Sequence, residues 1–146
     1  MRIVVGAVII REREILMVQE AKEKCYGQWN FPAGHLDEGE HIFDAVRRET
    51  KEETGYDVEL KSLVQIFSSK NERPQLMFFG CDVVGGEIKF DTSEILDVQW
   101  LPLDKLFDYD LRIPRGDIEV ILERVRTGNT FPLDVIKESD LRQKEQ

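Results

Sequence analysis

Residues 42–54 read Ile42-Phe43-Asp44-Ala45-Val46-Arg47-Arg48-Glu49-Thr50-Lys51-Glu52-Glu53-Thr54, and Gly55 follows. Gly55 stands where a helix commonly ends in a left-handed residue. At about 100° per residue, with Ile42 set to zero, Val46 falls near +40° and Ala45 near −60°. These three mark the face that turns inward. On the same wheel Glu49 lies near −20°, Glu53 near +20° and Glu52 near −80°. Asp44, Arg47 and Lys51 take the other side. A solvated charge run would sit opposite the apolar stripe; here Glu49 and Glu53 continue it, with Glu52 at its edge. Half-buried carboxylates at these spacings repel one another and lose hydration. The cluster therefore calls for a compensating cation, and Mg²⁺ or Mn²⁺ suits oxygen ligands. Arg48, next to Glu49 and four residues before Glu52, can orient a carboxylate.

Upstream, residues 29–40 read Trp-Asn-Phe-Pro-Ala-Gly-His-Leu-Asp-Glu-Gly-Glu. Gly34 and Gly39 have the spacing of a phosphate loop, but Glu40 stands where such a loop needs Lys. Phosphate held through metal is the better reading. The whole stretch from Ala21 to Gly39 shows no period and reads as a long loop, a length that usually carries function.

Further out, Ile3–Ile10 and Ile15–Val18 read as strands joined by the polar turn RERE. Val58–Ser69, Leu76–Val84 and Ile95–Leu101 are strand-like, with turns at Asn71–Pro74 and Gly85-Gly86, the latter leading into Glu87–Phe90. Leu103–Phe107 reads as a short helical turn. Asp117–Arg126 is a second amphipathic helix, with Ile118, Ile121, Leu122 and Val125 on one face. This order predicts an α/β protein of the α+β type, an α/β/α sandwich around a central mixed β-sheet. One domain over residues 1–132 is expected, with a loosely attached tail over 133–146.

The 146 residues carry a formal net charge of −9, of which −6 falls between Asp37 and Glu59. Such acidity argues against a stable nucleic-acid partner or an anionic membrane surface. No segment reaches the ~20 apolar residues of a membrane span. MRIVVGAVII lacks a small-residue cleavage site and reads as a strand, not a signal peptide. Cys25 and Cys81 lie far apart in no metal or redox motif, so a reduced, cytoplasmic chain is expected.

Gly34, Glu40, Arg48, Glu49, Glu52, Glu53 and Gly55 fit the pattern Gly-x5-Glu-x7-Arg-Glu-U-x-Glu-Glu-x-Gly-U at every spacing. On these residues the chain resembles the Nudix hydrolases. The two U positions, usually Ile, Leu or Val, hold Thr50 and Tyr56. Trp29 and Pro32 precede the box as in many members. The Trp-Asn-x-Pro-Ala-Gly-His run is similar to that of a bacterial subgroup acting on nucleoside di- and triphosphates and thiamine-precursor pyrophosphate.

The resemblance implies hydrolysis of a diphosphate linked to another moiety, with water and a divalent cation, Mg²⁺ or Mn²⁺. It implies Glu49 and Glu53 as metal ligands, Glu52 as a ligand or water-mediated partner, and the Ala33 carbonyl as a further ligand. Arg48 would orient Glu49, and Glu40 would fix the loop against the helix. Glu94, six residues before Trp100, is the candidate carboxylate from outside the box; its alternative is an exposed loop acid. His35, Arg112 and Arg115 are candidate substrate contacts, against a rim role for His35 and an ordinary loop at Arg112–Arg115 with Asp117 capping the last helix. The partner implied is a small diphosphate, and many members pair as homodimers. The alternative function is a Nudix-fold ligand-binding module without turnover.

Overall fold

Side chains of Glu14–Glu20 alternate between two apolar clusters, and this alternation explains the layers. Leu16 and Val18 pack with Val5, Ala7, Phe79, Ala45 and Val46 on one face. Ile15 and Met17 pack with Val8, Phe78, Val64, Ile118 and Ile121 on the other. A strand period of two delivers successive residues to opposite sides, so one set of strands serves two cores.

The protein, seen in a computed structural model, is described over residues 1–141. Its strands are β1 Ile3–Val8, β2 Ile10–Arg11, β3 Glu14–Glu20, β4 Trp29–Asn30, β5 Ala33–His35, β6 Tyr56–Phe67, β7 Gln75–Gly86 and β8 Ile95–Pro102. Its helices are α1 Ile42–Thr54 and α2 Arg115–Thr127. One sheet has the order β5-β1-β7-β6 and is mixed, because β1 and β7 run parallel while the other pairs are antiparallel. In the second sheet β3 pairs with β2, β4 and β8, all antiparallel. Helix α1 supplies Ala45 and Val46 to one cluster and α2 supplies Ile118 and Ile121 to the other. The helix–sheet–helix sandwich expected from the element order is present, with its strands divided between two sheets.

Helix α1 runs from Ile42 to Thr54, as its periodicity predicts. His41 caps it: its Nδ1 accepts from the Phe43 amide at 3.1 Å. Gly55 ends it in the left-handed region at φ 84°, its amide bound to the Lys51 carbonyl.

Several expectations are corrected. The stretch from Ala21 to Gly39 is not a free loop. It contains β4, paired with β3, and β5, paired with β1 through Val5↔Gly34 and Gly6↔Ala33. These short strands have no period of their own; their partners impose the extended form. Strand β7 continues through Gly85 and Gly86, and Glu87–Phe90 lie outside any strand. Helix α2 begins at Arg115 behind Pro114, so Asp117 sits inside the first turn and does not cap it. The tail is held at its start: Leu133 and Ile136 pack against the α1-side core, and Phe131 bridges to Leu63. Its last five positions, 142–146, lie outside the described residues. No described helix is long and apolar enough to cross a membrane.

Candidate active site

The site is built on the inward edge of α1 and the β5 segment that faces it. Glu53 is only 9% exposed. Its Oε1 accepts the Ala33 amide at 2.8 Å, which ties the last turn of the helix to β5. Burial pushes its carboxyl up to about 8, reinforced by the nearby charges of Glu20 and Glu49. Glu49 is also mostly buried, and burial raises its carboxyl despite the opposing influence of Arg48. Its carboxylate rests on Gly34: a Cβ built there would overlap its carboxyl carbon and both oxygens. The sequence needs glycine at this point because the helix side chain occupies the space a side chain would take.

Arg48 is the hub. Its Nε and Nη2 hold Glu40 at 2.8 and 3.0 Å, its Nη1 donates to Glu49 at 2.7 Å, and its Nη2 donates to the His35 carbonyl at 3.0 Å. Glu52 stands at the margin of this fan, 3.5 Å from Nη1. The Arg48 hydrogen bond holds Glu40 below the usual carboxylate range, and Glu40 in turn accepts the Asp37 amide at 3.1 Å. Loop and helix are thus fastened by one guanidinium with near-bidentate geometry.

The box glutamates differ in setting. Glu53 is buried and Glu49 half-buried, whereas the Glu52 side chain is 57% exposed and borders an open cleft of about 590 Å³ with Lys51, Lys89 and Phe90. The wheel position of Glu52, at the stripe's edge, accounts for the difference. The two unusual box residues are accommodated. Thr50 is buried with its hydroxyl donating to the Val46 carbonyl, and the Tyr56 hydroxyl accepts from Trp100 Nε1 at 3.4 Å.

Residues outside the box are placed unevenly. His35 is exposed on β5. The Glu94 side chain is exposed, while its carbonyl accepts the Ala21 amide at 3.2 Å and so lies beside the end of β3. Arg112 is bound through its amide to the Trp29 carbonyl, and its charge acts on Cys25. Arg115 is engaged elsewhere, over the Phe107 ring and with Glu119 at 3.3 Å on α2. Two residues escape the sequence reading. Glu20, at the end of β3, is 4% exposed and acts on Glu53. Lys22 is exposed, and its charge reaches both Glu49 and Glu53. The parity Leu16, Val18, Glu20 is the signal that could have found the first.

The donor set consists of hard carboxylate oxygens, with Glu53 buried and Glu49 half-buried, and it suits a hard divalent cation. Among the described residues no three His, Cys, Asp or Glu side chains are gathered tightly enough to enclose an ion at once.

A NUDIX domain profile matches residues 1–122. The chain is 39% identical over 101 residues to the zebrafish 8-oxo-dGDP phosphatase NUDT18, a match covering 66% of this chain and 31% of that protein. The chain spans about a third of the length of the curated relatives it matches first. Among solved structures, a NUDIX hydrolase from Nitrosomonas europaea superposes with a TM-score of 0.82 at 28% identity, over 95% of this chain and 97% of that one. An ADP-ribose pyrophosphatase from Streptococcus suis superposes with a TM-score of 0.72 at 32% identity, over 86% and 92%. With the box intact from Gly34 to Gly55 and the profile spanning both helices' sheet framework, the chain belongs to the Nudix family.

Proposed function

We propose that this protein is a Mg²⁺- or Mn²⁺-dependent pyrophosphohydrolase that cleaves the diphosphate linkage of a nucleotide or a related nucleoside-diphosphate-linked compound. The observation that carries the reading is the pair Glu49 and Glu53: Glu53 buried, Glu49 half-buried, both carboxyls raised by burial, and Glu53, among the described residues, with no cationic partner at ion-pair distance. An apolar stripe has no use for such groups unless a cation joins them.

In this reading Glu49 and Glu53 hold the cation, with Glu52 and the Ala33 carbonyl completing its surroundings. A divalent cation there supplies neutralisation of phosphate oxygens and a more acidic water. Arg48 aims Glu49 and keeps it from swinging into solvent. Gly34 gives that carboxylate its seat. Glu94 is the carboxylate from outside the box, on the loop beside the end of β3. His35 and Arg112 contact the substrate at the rim; Arg115, already engaged by Phe107 and Glu119, does so only if released. The polyanionic substrate approaches an acidic surface, so binding depends on the cation first. The names of the relatives, an 8-oxo-dGDP phosphatase and an ADP-ribose pyrophosphatase, support nucleoside-diphosphate compounds as the substrate class. The two cysteines are both buried and unpaired, which supports a reducing, cytoplasmic setting.

The test is a panel of 8-oxo-dGDP, ADP-ribose, sugar nucleotides and nucleoside triphosphates, with Mg²⁺ or Mn²⁺ and detection of phosphate, pyrophosphate and nucleoside monophosphate. Metal-dependent turnover that E53Q abolishes is the expected result. No turnover of any member would overturn the hydrolase and leave the ligand-binding module.

A further inference from the structure

Strand β3 sends a carboxylate into the same space from the opposite side. Leu16 and Val18 belong to the cluster beneath α1, and Glu20 follows at the same parity. Its cross-strand partners agree. Val18 pairs with Val98 and Glu20 with Ile95, both members of that cluster, and the irregularity between Gln19 and Glu20 absorbs one extra residue of β8. Glu20 is therefore turned toward α1, and it is 4% exposed.

Its surroundings do not explain a charge there. Among the described residues no Lys, Arg or His stands within ion-pair distance of it; its side-chain hydrogen bond comes from Cys25 Sγ at 3.5 Å, a weak donor. Its charge is felt by Glu53, which already sits near Glu49. A strand end in an apolar layer could be filled by an apolar or amide side chain. A second buried carboxylate whose charge acts on Glu53 is unfavourable without a cation between them.

We propose that Glu20 belongs to the carboxylate set that holds the divalent cation, reaching it from the sheet while Glu49 and Glu53 reach it from the helix. The inference rests on the hydrolase reading above. It accounts for the burial of Glu20 and for the want of a cation beside it. It also gives the ion oxygen donors from two elements, which suits a hard cation with six ligands. Cys25 then has a supporting part: its thiol braces the Glu20 carboxylate from the far side.

The experiment uses Mn²⁺ alone, counting free ion by electron paramagnetic resonance with wild type, E20Q and, as an equal change of charge on the exposed neighbouring turn, E23Q. Wild type is expected to bind Mn²⁺, E23Q to bind within twofold of it, and E20Q to bind at least tenfold more weakly. Without metal, E20Q is expected to unfold at the same temperature as wild type or higher, because a buried charge has gone. Unchanged Mn²⁺ binding by E20Q, with or without a lower unfolding temperature, would overturn the assignment and leave the hydrolase reading standing. Failure of wild type to bind Mn²⁺ would overturn both. If E20Q does not fold, E20D decides in the same assay: it keeps the charge one methylene back, and weakened binding supports the assignment while unchanged binding overturns it.

Discussion

The Glu49 carboxylate occupies the space above Gly34 in which a Cβ would lie. The overlapping atoms are the far end of a flexible side chain, so a methyl group there would move the carboxylate and not the backbone. G34A is expected to fold with an unfolding temperature close to wild type, because the Val5↔Gly34 pairing needs no glycine. Its metal affinity and kcat are expected to fall on the order of tenfold to a hundredfold. Thermal unfolding and a Mn²⁺ titration check both halves; normal metal binding by G34A would contradict the seat assigned to Gly34.

Gly55 is a glycine of the other kind. It holds φ 84°, and a Cβ there would meet the backbone carbonyl of Glu87 and the amide of Lys89. Neither can yield without moving the chain after β7. G55A is expected to lose about 2–4 kcal/mol of stability, from left-handed strain plus the collision. Denaturant unfolding measures it.

Arg48 bridges Glu40, Glu49 and the His35 carbonyl. R48A leaves two half-buried carboxylates facing each other, and a loss of about 2–3 kcal/mol is expected. R48K keeps the charge but not the fork, so it should recover part of the stability and little of the activity. A double-mutant cycle with E40Q should show coupling of about 1 kcal/mol or more between the two sites.

Glu53 makes the metal-free protein sensitive to alkali. Its carboxyl lies near 8 in the folded chain against 4.5 for a free glutamate. The proton bound in the folded state contributes stability that is complete below about pH 4.5 and is lost as pH rises through about 8. With chelator present, the unfolding temperature should fall across that window by on the order of 10 °C relative to E53Q. Saturating Mn²⁺ should flatten the curve, because cation binding displaces the proton. A chelated wild type that tracks E53Q from pH 5 to 8.5 would show that Glu53 is ionised throughout.

His41 offers a control far from the chemistry. Its ring nitrogen fills the cap of α1. H41A should cost about 1 kcal/mol, and H41D or H41S should restore most of it with turnover unchanged.

Helix α1 was legible because period, terminating glycine and box agree over thirteen residues, though its cap at His41 was not read. Its burial stripe followed from the wheel arithmetic, and its end from the left-handed preference of glycine at Gly55. The short strands β4 and β5 were not legible, since two or three residues carry no period and take their form from β3 and β1. Glu20 was missed for a related reason. A strand read as ending at Val18 leaves the next acid looking like the start of a solvated loop, and only the pairing with Ile95 carries it inward. The hold on Leu133 and Ile136 depends on their docking against the α1-side core, a long-range contact invisible in a local window. The exposure of Glu52 relative to Glu53 was legible in kind, through its place on the helical wheel, but not in degree.

The alternation along β3 has a consequence for how this chain can change over generations. Residues 15 to 18 hand their side chains by turns to two different interiors, and Glu20 follows at the parity of Leu16 and Val18. Replacing one residue by another of similar size disturbs one interior at one point. Inserting or deleting a single residue shifts the frame and exchanges the two faces at once, placing Gln19 where Glu20 stood after an insertion and Ala21 there after a deletion. Length is thus frozen in this strand while composition is not, and the backbone bonds from Glu20 to Gly27 and Gln28 carry the same constraint into the turn that follows.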